Sequence, residues 1–427
     1  MIKTIYLHVG LHKTGTTTIQ EILGKSRNLL KSLGYLYPEV ILERNIFNNH
    51  SLPFYSLFKD NPETYFQNQL LGYSTIESVK KLNENYADQI RKQIESFEGE
   101  VMVISGEDIT RIHKEGLKNL KSFLVSLSAP GVAIKVIMFL RHPLDYYRSI
   151  KLELLKNGTV RQGLYAGHDR FTQYLQVDKT VVNLFEVFGA ESVSCVLYED
   201  AARHKSGLIG AFLHEIGLDT GLFDNYMQEL HNFSMTYEAN VLYSAVIEKF
   251  PHLLGNLPNP AYDMFCASLI SKMPGVKFVL PKNDIRMTWE YVRPIWADVC
   301  QKFHLPEYQF YEMPPVDDKN KWGDDALDYF IQIIPKMHES YAVVLLDILM
   351  EELRSYKSKF TPDKKGRIFA ILMFYSAICH LKTKFEKITH FTHHLGLVFT
   401  VRFLFRYKRR RRFYVSSFVA LQQKPLS

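Results

Sequence analysis

The chain has 427 residues, 46% of them hydrophobic and 23% charged, the composition of a globular protein that can bury one large or two moderate cores. Its formal net charge of +7 suits anionic ligands or surfaces, but no zinc-finger spacing or nucleic-acid module is recognisable, so no nucleic-acid partner is expected. The four cysteines are scattered without a C-x-x-C pair, which predicts buried thiols in a reducing compartment and disfavours a disulfide framework or a metal site.

A strand is predicted over residues 4–9, where β-branched and polar side chains alternate. Apolar residues at helical spacing begin at Ile19 and continue to Leu33. Between strand and helix lies a loop bounded by Gly10 and Gly15. In such a unit the N–H groups of the loop and the positive end of the helix dipole converge on one point. The sequence therefore predicts a site for a phosphate or a sulfate, with an ordinary tight turn as the alternative.

This loop departs from the P-loop that binds ATP or GTP, which reads G-x-x-x-x-G-K-[ST]. Gly10 and Gly15 have the right spacing, but Thr16 stands where the lysine should be. The basic side chain of the motif that could reach the anion is Lys13, inside the loop. The loop is thus of the phosphate-binding type, but its lysine lies inside the loop instead of after the second glycine.

Glu107 is a candidate general base. A continuous apolar run over residues 101–105 predicts a buried parallel strand, and Glu107 and Asp108 follow it closely. Ligands of open α/β sheets bind beyond the carboxyl ends of the strands, so Glu107 is expected near Lys13, where it could take a proton from a hydroxyl. Capping of the next helix by either carboxylate is the alternative. Other candidate bases are His12, His113 and His168.

A second anion-binding segment is predicted after the strand over residues 134–140. Arg141 stands at the end of this strand, Pro143 fits the first position of a helix, and Ser149 lies on that helix. An arginine at a strand end can bind a phosphate through two parallel hydrogen bonds. An ordinary ion-pairing arginine is the alternative. Arg148 and Lys151 would add positive charge on the same helix.

The string from Gly10 to Thr18 resembles the 5′-phosphosulfate loop of sulfotransferases that use 3′-phosphoadenosine 5′-phosphosulfate (PAPS). Arg141 and Ser149 have the spacing of the 3′-phosphate segment of that family, and relatives also place a glutamate after the strand that precedes Glu107. The resemblance covers residues 1 to about 240. It implies an α/β fold with a P-loop NTPase-like parallel sheet flanked by helices and a mostly helical C-terminal extension.

The resemblance also implies a function. The enzyme would move the sulfuryl group of PAPS to a hydroxyl acceptor, a carbohydrate or glycolipid, and release adenosine 3′,5′-bisphosphate without a metal. Lys13 would steady the leaving group and Glu107 would be the base. The residues that bind the donor would be Lys13, Thr14, Gly15, Thr16, Thr17, Thr18, Arg141 and Ser149. A P-loop kinase or NTPase is one alternative, and a non-catalytic protein that binds membrane surfaces or nucleic acid is another.

Other segments give coarser predictions. Residues 35–85 are rich in Asn, Tyr, Phe and Pro and predict either part of an acceptor pocket or an irregular surface insertion, followed by a helix over 87–97. Residues 152–178 predict a loop or lid facing the acceptor. A fourth strand is predicted over 193–200, and Pro294 is expected to separate helices.

Two domains are predicted, a sulfotransferase α/β domain over 1–315 and a helical C-terminal region over 316–427. The apolar runs 368–381 and 395–405 are shorter than the roughly 20 residues that cross a bilayer. The basic cluster Arg406–Arg412 follows them and suits an anionic membrane surface or a solvated tail. Because the first strand starts so close to Met1, we expect no signal peptide and a cytoplasmic protein, in peripheral contact with the inner face of the membrane if the tail binds it.

Overall fold

The structure, a computed structural model, describes residues 1–42, 45–156, 176–227, 235–279, 282–311 and 321–355, together with Gly366. Two compact units are present, one of residues 1–264 and 277–316 and the other of residues 265–276 and 317–427. The domain boundary between residues 315 and 316 stays a prediction.

The strands are β1 Thr4–His8, β2 Tyr35–Leu36, β3 Val40–Leu42, β4 Asn45–Phe47, β5 Val101–Ser105, β6 Ala133–Leu140, β7 Val193–Leu197, β8 Leu253–Leu254 and β9 Leu257–Pro258. The helices are α1 Thr16–Lys25, α2 Arg27–Ser32, α3 Ser51–Phe58, α4 Phe66–Leu70, α5 Ile76–Glu95, α6 Lys114–Ser126, α7 Pro143–Lys156, α8 Val177–Phe188, α9 Tyr198–Arg203, α10 Gly207–Glu215, α11 Asp224–Met227, α12 Tyr237–Lys249, α13 Met264–Ser271, α14 Lys282–Lys302, α15 Asp324–Ile333 and α16 Glu339–Ser355. A short 3-10 helix spans Glu107–Arg111.

The first unit is built on a five-stranded sheet in the order β2-β5-β1-β6-β7, in which every pairing is parallel. β1 lies at the centre, with Thr4 beside Val101 of β5 and Ala133 of β6. The chain therefore leaves β5, β1 and β6 at neighbouring points on one edge, which is where ligands of open α/β sheets bind.

Helices cover both faces of this sheet. Along β6, Val136, Met138 and Leu140 belong to one buried core, whereas Ile137 and Phe139 belong to another. Side chains of a strand alternate between faces, so the two cores lie on opposite sides of the sheet. The predicted α/β class, a parallel sheet flanked by helices, is confirmed.

Residues 35–85 differ from the prediction of an irregular surface insertion. They hold three short strands, α3, α4 and the first half of α5, and Leu52, Phe54 and Tyr55 are buried in the core. Helix α5 begins at Ile76, well before the predicted start at residue 87. Its buried residues recur every three or four positions, but the charged and amide residues between them dilute the pattern.

Two predicted boundaries were also wrong. The fourth strand ends at Leu197, because Tyr198 already begins α9. Pro294 lies inside α14, where Val292 and Trp296 on either side are buried and hold the helix against the core. Cys195, Cys266 and Cys300 are free thiols, as predicted.

Several predictions concern residues outside the described part of the chain. The predicted lid is described only at its two ends, which belong to α7 and α8, and its centre with His168 lies outside. The apolar runs 368–381 and 395–405 and the cluster Arg406–Arg412 lie outside as well. Within the described ranges, every helix is too short or too polar to span a lipid bilayer.

Candidate active site

The loop after β1 follows β6 before it turns into α1. The N–H group of Val9 donates to the carbonyl of Ile137 at 3.0 Å, and that of Leu11 donates to the carbonyl of Phe139 at 3.3 Å. Lys13 then adopts a left-handed conformation with a φ of 63°, which is uncommon for a residue other than glycine. The main chain of the loop is thus hydrogen-bonded to β6 as far as Leu11.

No side chain caps the N-terminus of helix α1. Its N-cap residue is Gly15, which has no side chain to cap the helix, and its first turn contains no acidic residue. The N–H groups of the first turn and the positive end of the helix dipole therefore suit an external anion. Thr17 is exposed, Thr18 is half-buried and Thr16 is buried. The side chain of Thr16 packs against Gly10, where a Cβ atom would lie only 2.6 Å from Cγ2 of the threonine.

Thr14 closes the loop from inside, since its buried hydroxyl donates to the carbonyl of Leu11 at 2.6 Å. This side chain therefore shapes the loop by a bond within it. Because the hydroxyl of Thr14 is used in this bond, the contact predicted between Thr14 and a ligand would be made by its main-chain N–H group.

Arg141 joins the two segments that were predicted to bind anions. Its Nη1 atom donates to the carbonyl of Lys13 at 2.7 Å and to the hydroxyl of Ser149 at 3.1 Å. The guanidinium also lies over the ring of Tyr198, with Cζ 4.7 Å from the ring centroid, an arrangement that favours a cation. The loop after β1, the end of β6 and helix α7 therefore meet at this one arginine.

The ammonium group of Lys13 is ion-paired with Glu153. Nζ lies 3.1 Å from Oε2, and the side chains are 34% and 38% exposed. Glu153 is four residues after Ser149 on α7, so both side chains lie on one face of the helix. Sequence reasoning missed Glu153, because its spacing from Ser149 indicates a shared helix face but not a contact with Lys13.

Glu107 lies beside the helix that follows the anion loop. Its carboxylate accepts hydrogen bonds from Gln20 on α1 at 2.8 Å and from Asn49 at 3.0 Å. The N-cap of the 3-10 helix is Gly106, and no side chain caps it. The capping alternative for Glu107 and Asp108 is therefore wrong, and the half-buried Glu107 carboxylate is held by two neutral amides at the edge of the sheet where β5 ends.

Asp108, the next residue, is buried among polar partners. Its carboxylate accepts from the hydroxyl of Tyr65 at 2.6 Å and from Nη1 of Arg111 at 3.0 Å. Nε2 of His12 lies 3.1 Å from Oδ1 of the same carboxylate. Burial by itself raises the pKa of Asp108, but the bond and charge of His12, with the charge of Arg111, hold that pKa well below its ordinary value. The carboxylate of Asp108 is therefore ionised in the folded protein at neutral pH.

Two buried histidines support the strand ends beneath the site. Nδ1 of His8 lies 2.8 Å from the hydroxyl of Ser105, and the N–H group of Ser105 donates to Nδ1 of His50 at 3.1 Å. Burial lowers the pKa of each histidine from 6.5 to about 3. Both rings are therefore neutral at pH 7 and connect the strands as polar parts of the core.

Two further basic residues of the second segment, Arg148 and Lys151, have surroundings unlike those of Arg141. Arg148 is ion-paired with Asp145 on its own helix at 2.8 Å, and Lys151 is only 3% exposed. Both residues lie on α7 with Ser149, as predicted. His113 is exposed at the start of α6. Among the described residues, no group of three or more His, Cys, Asp or Glu side chains could hold a metal ion.

No family model and no curated protein sequence matches this chain. Among solved structures it is similar to the crystal structure of a sulfotransferase from Alicyclobacillus acidocaldarius, with 12% identity over 72% of this chain and 97% of that chain and a TM-score of 0.39. It is also similar to the sulfotransferase domain from the curacin biosynthetic pathway, with 14% identity over 72% of this chain and 99% of that chain and a TM-score of 0.34. Both structures are described as sulfotransferases, the family that the motifs of this sequence resemble. Similarities this distant assign no role to any residue of this chain.

Proposed function

We propose that this protein is a sulfotransferase that moves the sulfuryl group of PAPS to a hydroxyl group of a carbohydrate or glycolipid. The contact of Arg141 with both the Lys13 carbonyl and the Ser149 hydroxyl is the observation that carries the proposal. It puts the guanidinium directly beside the anion loop. Two adjoining anion sites suit a nucleotide with phosphate groups on both sides of its ribose, and ATP and GTP carry no 3′-phosphate.

The side chains and main chain present suit such a donor. The first turn of α1 offers N–H groups and the hydroxyl of the exposed Thr17; the hydroxyl of Thr16, the other one expected to bind, is buried. Arg141 bonds the loop and Ser149 through Nη1, and its planar group carries further N–H donors at Nη2 and Nε. When bound, PAPS supplies a sulfuryl group activated by its bond to the 5′-phosphate.

The roles of this chain's residues follow from where charge develops. As the bond between sulfur and the bridging oxygen breaks, the electron pair stays on the phosphate, and Lys13 would donate a hydrogen bond to that oxygen. As the acceptor oxygen bonds to sulfur, its proton would pass to the Glu107 carboxylate. Lys13 leaves Glu153 to do this, and Arg141 with Ser149 would hold the 3′-phosphate.

Calorimetry with adenosine 3′,5′-bisphosphate tests the proposal. We expect the wild type to bind this product, with the same affinity in EDTA, and Lys13→Ala and Arg141→Ala to lose binding. Arg148→Ala is the matched control, because it removes a guanidinium that is paired with Asp145. A wild type that does not bind the product contradicts the proposal. Mg²⁺-dependent binding of ATP instead would favour the P-loop kinase or NTPase alternative, which Thr16 in the lysine position disfavours.

The acceptor and the tail need separate experiments. Labelled PAPS incubated with a panel of sugars and glycolipids is expected to label a lipid-linked or free saccharide, and labelling of proteins alone would contradict that acceptor class. We further propose that the cluster Arg406–Arg412 contacts anionic membranes. Deletion of residues 406–427 should then reduce flotation with vesicles that contain phosphatidylserine, and unchanged flotation would contradict this part of the proposal.

A further inference from the structure

We propose that His12 and Asp108 are positioning residues that set the distance between Lys13 and Glu107, an inference that rests on the proposed function. His12 directly precedes Lys13, and Asp108 directly follows Glu107. Nε2 of His12 lies 3.1 Å from Oδ1 of Asp108. Each of the two residues proposed for the chemistry is thus one peptide bond away from a contact that joins their segments.

Asp108 is the fixed end of this contact. Its own N–H group donates to the hydroxyl of Ser51 on α3, and its carboxylate accepts from Tyr65 and Arg111. The side chain is only 11% exposed. Partners from three segments therefore hold the main chain and the carboxylate of Asp108, which resists a movement of the carboxylate with the loop.

His12 adds a side-chain contact on the β5 side of β1, beyond the point where the Gly106 N–H group donates to the His8 carbonyl at 3.0 Å. The main-chain bonds described above, through Leu11 and through the carbonyl of Lys13, connect the loop to β6 and to Arg141 at its end. β5 is the neighbour of β1 on the opposite side, and Asp108 follows β5. The His12 side chain therefore reaches across the end of β1 and joins the two strand ends that carry Lys13 and Glu107.

This geometry separates positioning from donor binding. The donor's anions would be held by N–H groups of α1, by Arg141 and by Lys13, whose flexible side chain can reach an anion from more than one position, whereas the chemistry also needs Lys13 and Glu107 at one separation. A misplacement of about 1 Å between reacting groups can cost on the order of 100-fold in rate. Loss of the His12 contact should therefore lower turnover far more than it lowers affinity for the nucleotide.

Two substitutions of His12 test the inference. His12→Gln keeps an N–H donor at nearly the position of Nε2, whereas His12→Leu keeps the bulk and removes the donor. His214→Leu is the control, because His214 is exposed near the end of α10. The measurements are transfer from labelled PAPS to octyl β-glucoside, release of sulfate to water, affinity for adenosine 3′,5′-bisphosphate, and melting temperature.

We expect turnover of His12→Leu to fall at least about 10-fold, while the KM for PAPS and the affinity for the bisphosphate change less than about threefold. His12→Gln should recover most of the turnover, and His214→Leu should match the wild type. Amide hydrogen exchange provides a readout that needs no turnover. It should quicken in residues 9–18 and 106–112 of His12→Leu and stay as in the wild type in His12→Gln.

Three results would overturn the inference: full turnover in His12→Leu, equal losses in His12→Leu and His12→Gln, or unchanged exchange in both segments. A loss that appears only in the KM for PAPS would overturn it too, since it would make His12 a binding residue. If the wild type binds no bisphosphate, the proposed function fails first, so the two failures can be told apart.

Discussion

Replacing Glu153 with glutamine should tighten the binding of adenosine 3′,5′-bisphosphate. The Glu153 carboxylate is paired with the Lys13 ammonium at 3.1 Å. An anionic ligand in the loop must take Lys13 away from this carboxylate, so the ion pair competes with the ligand. Glutamine keeps the size of the side chain and removes the charge. Binding should therefore improve although a contact of the free protein is weakened.

The size of the effect follows from the exposure of the pair. With 34% of the lysine and 38% of the glutamate side chain exposed, water and salt screen the attraction, and such pairs contribute about 0–1 kcal/mol. Because a tenfold change in the dissociation constant corresponds to about 1.4 kcal/mol, the substitution should lower that constant by up to about fivefold. The difference should shrink at 1 M salt, where the screening length is only about 3 Å.

Calorimetry at low and high salt measures this effect. Glu186→Gln is the matched control, since Glu186 pairs with Lys114 at 2.7 Å and is 47% exposed. That substitution removes one negative charge from an ion pair of another helix, so it reports any effect of net charge alone. Unchanged or weaker binding in Glu153→Gln would refute the reasoning and would mean that Glu153 orients Lys13 for the ligand.

Two further predictions concern stability. Gly15→Ala should destabilise the protein by about 1–3 kcal/mol and abolish nucleotide binding, because a Cβ atom on Gly15, whose φ is 80°, would overlap Cδ2 of Leu208. Gly34→Ala has the same φ of 80° with open space around it, so in urea unfolding it should show only the smaller conformational cost, and equal losses in the two variants would contradict the steric argument. The free energy of unfolding should also decrease as the pH is lowered below 6.5. The buried rings of His8 and His50 have pKa values of about 3. Between pH 6.5 and 3 the unfolded chain therefore binds protons that the folded protein does not. The slope should be about 1.4 kcal/mol per pH unit for each histidine between pH 6.5 and 3, and urea unfolding that gives the same free energy at pH 7.5 and 4.5 would contradict it.

The loop after β1 and the Arg141 segment could be predicted from the sequence because their chemistry is local. Two glycines at a fixed spacing predict the turn between β1 and α1, and an arginine and a serine eight residues apart meet when a helix begins between them. Parallel strands likewise carry long apolar runs that a single sequence shows directly. These features depend on the order of residues within one segment.

The contacts that arrange the site could not be predicted in the same way. Lys13 and Glu153 are 140 positions apart, and His12 and Asp108 belong to different strand ends. Which side chains meet across such separations depends on strand order and on the angle at which helices pack. The buried core residues within 35–85 were missed for a related reason, because tyrosine and asparagine occur in loops and in cores alike.

The arginine that joins the two halves of the site has a thermodynamic consequence. Nη1 of Arg141 bonds both the Lys13 carbonyl and the Ser149 hydroxyl, so a ligand that orders this guanidinium would also order the loop. With the proposed donor, binding of one phosphate would therefore raise the affinity for the other, and by linkage the effect would be equal in both directions. A nucleotide with both phosphates would therefore bind more tightly than the separate affinities of its two halves predict.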